Sequence, residues 1–195
     1  TPWKAIYDAT DEFSPARAMA TVIKVFAMQR ITDMYGPIPY SQFGTAVQVA
    51  YDTQESVYNQ MFEELAGAID VLTEYATNNS AAYLADYDNV YYGNVVKWVR
   101  FANTVRLRMA MRISNVDESK ARAQIEASVG NVYGLMTSKD DDAAVHQSIS
   151  LTFRHPLWEI GTSWDDEHMS ATMDCYLNGY GDPRIAAYFQ PAVSS

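Results

Sequence analysis

The chain has 195 residues, 48% hydrophobic and 19% charged, which suits a folded core and excludes a disordered segment. Its net charge of −10 argues against nucleic acid, whose phosphates would be repelled. No apolar run approaches the ~20 residues that a membrane-spanning helix needs.

The opening TPWKAIYD has no Met, no basic region and no apolar run, so a signal peptide is expected to lie outside this sequence. Residues 1–13 carry Trp3, Ile6 and Tyr7 at helical spacing and read as the last turns of a helix. Ser14-Pro15 is a helix start, because Ser caps free amides and Pro fits the first turn. Apolar residues from Met19 to Ile31 then recur at helical spacing to about Met34, and Gly36-Pro37 stops them. Residues 35–52 form a long loop with Tyr35, Tyr40 and Tyr51, of the kind that is ordered by packing or used in function. Thr53 caps a second helix, about Gln54 to Tyr75, with the stripe Val57, Met61, Leu65, Ile69 and Leu72. A second tyrosine-rich loop follows over 77–93.

The helix expected from Asn94 to Ser114 is apolar on two sides. One stripe is Trp98, Ala102, Val105, Met109 and Ile113; the other is Val96, Asn103, Leu107 and Ala110. A helix of that kind sits between neighbours. It also holds Lys97, Arg100, Arg106, Arg108 and Arg112, five of the chain's 14 basic residues. Internal ion pairing is the expected use of these cations, with a face for an acidic partner as the alternative. Asp117 caps a shorter helix, about Glu118 to Val129, ended by Gly130. The acidic run Asp140-Asp141-Asp142 lacks the alternate spacing of a calcium loop and reads as solvated. SISLTF (148–153) is a candidate strand or extended link, which His155-Pro156 breaks. Ser170 starts a helix that ends at Gly179 or Gly181, and Asp182-Pro183 starts a further turn. Cys175, the only cysteine, excludes an internal disulfide and is expected to be a buried, inert thiol. The architecture predicted from these elements is mostly α, a stack of helix hairpins joined by long loops.

No dinucleotide, P-loop, nucleophile-elbow or zinc-protease motif is present. Asp165-Asp166-Glu167-His168 holds metal-ligand atom types, but adjacent residues rarely face one ion, so no metal and no cofactor are expected. Trp158 and Trp164, near Asp165, Asp166 and Arg154, point to sugar binding. An indole stacks on the apolar face of a pyranose, carboxylates accept from hydroxyls, and Arg154 donates. The alternative is that both tryptophans are core anchors. A helical-repeat interaction module and a helical glycosidase with a carboxylate pair such as Glu159 and Asp165 are the rival functions.

ITDMYGPIPYSQ (31–42), YDTQESVYNQMFEELAGAIDVL (51–72), DNVYYGNVVKWVRFANTVRLRMAMRISNVD (88–117) and YLNGYGDPRIAAYFQP (176–191) together resemble the SusD/RagB family. That resemblance implies a SusD-like α–α superhelix of tetratricopeptide-like stacked helix pairs with long loops, the stack over 1–131 and a loop-rich ligand-binding portion over 132–195, in a non-enzymatic surface protein tethered outside the outer membrane by a lipidated cysteine. It implies capture of oligosaccharide, with peptide as the other ligand class, and delivery to a SusC-type TonB-dependent transporter. No cysteine here stands where the lipidated one would, and the chain is short for the family, so it reads as an internal fragment.

Overall fold

The computed structural model describes residues 2–147, 154–164, 166 and 168–189. The expectations for 148–153, for Asp165 and for the end of the YFQP segment lie outside the described residues. The chain forms two compact units, Thr1–His146 and Gln147–Ser195. Among the described residues every regular element is a helix, with one isolated antiparallel bridge between Ile38 and Asp52.

In the first unit α1 (Pro2–Ala9) precedes four longer helices: α2 (Pro15–Tyr35), α3 (Gln54–Asn78), α4 (Val95–Ile113) and α5 (Glu118–Val129). Each of these helices packs on the one before it. The starts are fixed by side chains: Thr53 accepts from the Ser56 amide, Asn94 from Lys97 and Asp117 from Lys120. Met61, Leu65 and Leu72 of α3 and Val99 and Met109 of α4 are fully buried in one core. Burying each such side chain stabilises the fold by about 1.5–3 kcal/mol.

α4 is buried on two sides, as its sequence predicts. Trp98, Ala102, Val105 and Met109 are buried on the first stripe, and Asn103 and Ala110 on the second. Four of its five cations have internal partners. Lys97 reaches the Asp140 carbonyl, Arg100 the Asp141 carboxylate, Arg106 the Gln124 amide and Arg112 the Asp33 carboxylate. Arg108 is exposed.

Both tyrosine-rich loops are ordered by carboxylates, half-buried in the first and buried in the second. In the first, Asp52 accepts from the amides of Tyr40 and Ser41, and Glu64 takes the Tyr40 hydroxyl at 2.6 Å and Lys24 at 2.7 Å. Burial and the Glu64 carboxylate push the Tyr40 hydroxyl far above its ordinary range. In the second, Asp88 accepts from the amides of Val90, Tyr91 and Gly93 and from the Trp98 indole at 2.8 Å. Gly93 has φ +79°, and a Cβ there would lie 2.7 Å from the Tyr83 carbonyl oxygen, so only glycine fits.

Two expectations change, and one helix is added. Asp141 is not a solvated charge: it is 1% exposed, in a 3-10 turn (Lys139–Asp141), and accepts from Arg100 and from the Thr137 and Ser138 amides. Cys175 is exposed. It lies in α7 (Ala171–Gly179), whose one buried described residue is Leu177, about 200° round the helix from it. After His155-Pro156 comes a helix that the sequence reading did not name: α6 (Pro156–Ser163) has the His155 ring accepting from the Leu157 amide and Pro156 in its first turn.

Candidate functional site

The second unit carries the residues singled out for sugar binding. α6 is two turns long and none of its described residues is buried. Trp158 lies in its first turn, 44% exposed, and Trp164 follows its last turn, 65% exposed. The core-anchor alternative requires burial that neither indole has within this chain. Six helical steps place the two about 120° apart around the axis and about 9 Å apart along it. They therefore face different directions on one short rod and do not form a single flat platform.

Arg154 stands just before the helix, with its guanidinium carbon 4.0 Å from the Trp158 ring centroid and its Nη1 4.0 Å from the Glu159 carboxylate. The cation covers one face of the indole and is itself exposed, so its remaining donors stay accessible. Asp166 is exposed, and its amide donates to the Ile160 carbonyl at 3.2 Å, tying the chain back onto α6. The structure thus brings Arg154 and Trp158 into contact and places Trp164 and Asp166 at the far end of the same helix. Asp165 lies outside the described residues.

α7 adds a pair that the candidate set did not contain. Tyr176 and Tyr180 stack with centroids 6.1 Å apart and planes 15° from parallel, and both are exposed. Their spacing of four is the signal in the sequence, because it puts both on one helix face. Beyond them Asp182 takes the Arg184 Nε at 2.9 and 3.0 Å, and this pairing holds the Asp182 carboxyl down at about 2. That fork lies in the turn that leads into α8 (Ile185–Tyr188).

The first unit has two grooves of ligand size. The larger, about 750 Å³, lies among α2, α3, α4 and α5 and is strongly charged, with Asp33, Glu55, Arg112, Asp117, Glu118 and Lys120 on its walls. Its central carboxylate, Asp33, is already occupied by the Tyr58 hydroxyl at 2.6 Å, Arg112 Nε at 2.8 Å and Gln29 Nε2 at 2.9 Å. Burial first, then Asp33, raises the Tyr58 hydroxyl to about 12. This arrangement ties α2, α3 and α4 together and leaves little for a ligand to take. The smaller groove, about 450 Å³, lies beside the loop between α3 and α4.

The whole chain, residues 1–195, matches the SusD-like family model, described as Susd and RagB outer membrane lipoprotein. A comparison with the curated proteins gives no match. Among solved structures, a chitin-binding SusD homolog from Flavobacterium johnsoniae is 42% identical, with a TM-score of 0.82 over 90% of this chain and 36% of that one. A SusD homolog from Bacteroides uniformis is 44% identical, TM-score 0.78, over 91% of this chain and 37% of that one. A third, from Bacteroides thetaiotaomicron, is 34% identical, TM-score 0.84, over 99% and 38%. The chain therefore spans rather more than a third of the length of these structures.

Proposed function

Because the chain belongs to the SusD/RagB family of outer-membrane lipoproteins, we propose that it is part of a surface glycan-binding protein, not an enzyme, that passes oligosaccharide to a SusC-type TonB-dependent transporter. Residues 132–195 contribute the ligand-binding portion, and the intact protein is held at the cell surface by a lipid anchor. The observation that carries this reading is the exposure of Trp158 and Trp164 at the two ends of α6, with polar groups beside them. The likeness at 42% identity to a chitin-binding SusD homolog supports the ligand class. No helix of the described residues is long and apolar enough to cross a membrane.

In this reading the free face of Trp158 stacks on a sugar ring, Arg154 fixes the other face and donates to a hydroxyl, and Trp164 with Asp165 and Asp166 holds a second part of the chain of sugars. A few stacking contacts and hydrogen bonds give affinities of about micromolar or weaker, roughly −8 kcal/mol at most. A face of the helix stack meets the transporter, burying about 1,000 Å² or more.

The test is affinity electrophoresis and calorimetry of the full chain on chitin oligosaccharides and other neutral glycans, beside Trp158→Ala and Trp164→Ala. Wild type is expected to bind, and each variant to weaken binding at least tenfold with unchanged circular dichroism. Equal binding by both variants would sink the tryptophan assignment. No binding to any glycan would leave a helical interaction module as the better reading, and release of reducing ends would make the protein an enzyme.

A further inference from the structure

The loop from Asn79 to Asn94 carries steric strain at a residue where another side chain would relieve it. Tyr92 has φ +53°, a region that L side chains enter at a cost and that glycine or asparagine fills easily. The rest of the loop imposes that conformation. Asp88 holds three amides and the Trp98 indole, and the Tyr83 amide donates to the Gly93 carbonyl at 2.9 Å. Strain that a rigid frame maintains is a mark of a functional position. What it achieves here is to hold an aromatic ring out of the core. Tyr92 is 54% exposed, with its ring stacked on His146 at 5.4 Å and 25° between planes, while its neighbour Tyr91 is buried.

Tyr92 forms one wall of the 450 Å³ groove, a volume within the usual range for small-ligand sites. In a chain of net charge −10, no residue lining this groove is charged. Its polar side chains besides the two tyrosines are Asn79, Ser80 and Asn94, all exposed. Asn94 gives its side-chain oxygen to the Lys97 amide at 3.1 Å, which leaves its NH2 without a partner among the described residues. Asn79 donates to the Tyr75 carbonyl at 3.0 Å, which leaves its side-chain oxygen to accept.

An aromatic wall, a free amide donor, a free amide acceptor and no charge match a neutral sugar ring. The C–H face lies on the tyrosine, and hydroxyl or acetamido groups pair with the amides. A phosphate or uronate would find no counter-ion there, and a purely apolar ligand would leave both amides unpaired. We propose that this groove is a second carbohydrate site, selective for uncharged pyranosides, with Tyr92 as its stacking residue and Asn94 as its donor. It rests on the glycan-binding reading above for ligand class only and shares no residue with the α6 site.

The test uses the full chain with three probes: N-acetylchitohexaose, xylohexaose and, as the charged control, an oligogalacturonate. Tyr92→Asn removes the ring while relieving the backbone, so its melting temperature should hold. Asn94→Asp keeps the helix cap, removes the donor and adds a charge. Each is expected to weaken neutral-sugar binding at least fivefold, and sugar should shift the Asn94 side-chain amide signals in NMR spectra of wild type and of the Trp158→Ala/Trp164→Ala double variant. A smaller loss in either folded variant, an unmoved Asn94 signal, or equal binding of the uronate overturns the second site. If the tryptophan double variant keeps full affinity while these two lose theirs, the α6 assignment fails and the second site stands. If wild type binds neither neutral probe, both readings fail.

Discussion

The two units use the same residue types for opposite ends. In the first, four buried aromatics are tethered by their polar tips: Tyr40 to Glu64, Tyr58 to Asp33, Tyr91 to the Asp141 carbonyl and Trp98 to Asp88. In the second, Trp158, Trp164, Tyr176 and Tyr180 present their rings to solvent. An aromatic ring buried with its hydroxyl paired fixes a fold, whereas one left exposed is available to a partner. Tyrosine enrichment in a sequence does not distinguish the two, because the distinction lies in whether a carboxylate or carbonyl is placed at the tip.

The sharpest way to break this comparison is to remove one of those internal acceptors. Asp88→Ala would leave the Trp98 indole and three loop amides without their partner. Each buried donor left unpaired costs about 1–3 kcal/mol, and partial rehydration of the loop makes the expected total about 4 kcal/mol. Urea denaturation followed by tryptophan fluorescence measures it. A loss below about 1 kcal/mol would mean that the Asp88 cluster does not brace the loop, and the first unit's aromatics would lose their structural reading.

Asp141 gives a smaller effect with a pH signature. Its carboxyl is held below the ordinary 3.8 by the Thr137 amide first and then by Arg100. A carboxyl whose pKa is lowered on folding stabilises the folded state fully above its unfolded value, and that contribution is lost as pH falls through the lower folded value. Asp141→Asn keeps the shape but loses the charge opposite Arg100, at an expected cost of about 1–3 kcal/mol at neutral pH. The difference between wild type and variant should shrink once the pH drops below 3.8. A difference that stays constant down to the lowest folded pH would show that the charge is not what the variant lost.

Much of the first unit is legible in the sequence because local chemistry sets its boundaries. Ser14-Pro15, Thr53 and Asp117 each stand where a helix begins, and Gly36 and Gly130 where one ends. The two-sided α4 is legible for the same reason, since 3.6-residue periodicity is a local property. What escapes is set at long range. Asp141 sits in an acidic run and reads as solvated; its burial depends on Arg100, 41 positions earlier. α6 escapes because His155-Pro156 can end an extended stretch and also start a helix, and only the residues that follow show the second. In the candidate site, the side chains of Arg154 and Trp158 lie four positions apart, near enough for sequence to suggest a pair. The stack of Tyr92 on His146 joins residues far apart in sequence, and no local pattern announces it.

The mildest test sets Asp182 against Asp141, since both carboxyls are lowered by an arginine. Asp141 is enclosed by amides and closes onto a helix of the core, whereas Asp182 pairs with Arg184 two residues away, and Arg184 is exposed. An exposed pair between near neighbours survives in the unfolded chain and is screened by solvent, so a large shift in titration need not carry stability. Arg184→Ala should therefore leave the denaturation midpoint unchanged, while the Asp182 carboxyl, followed by NMR titration, rises from about 2 toward 3.8. An unfolding shift comparable to that of Asp141→Asn would mean that the second unit is braced as the first is, and that its exposed rings belong to its folding rather than to a ligand.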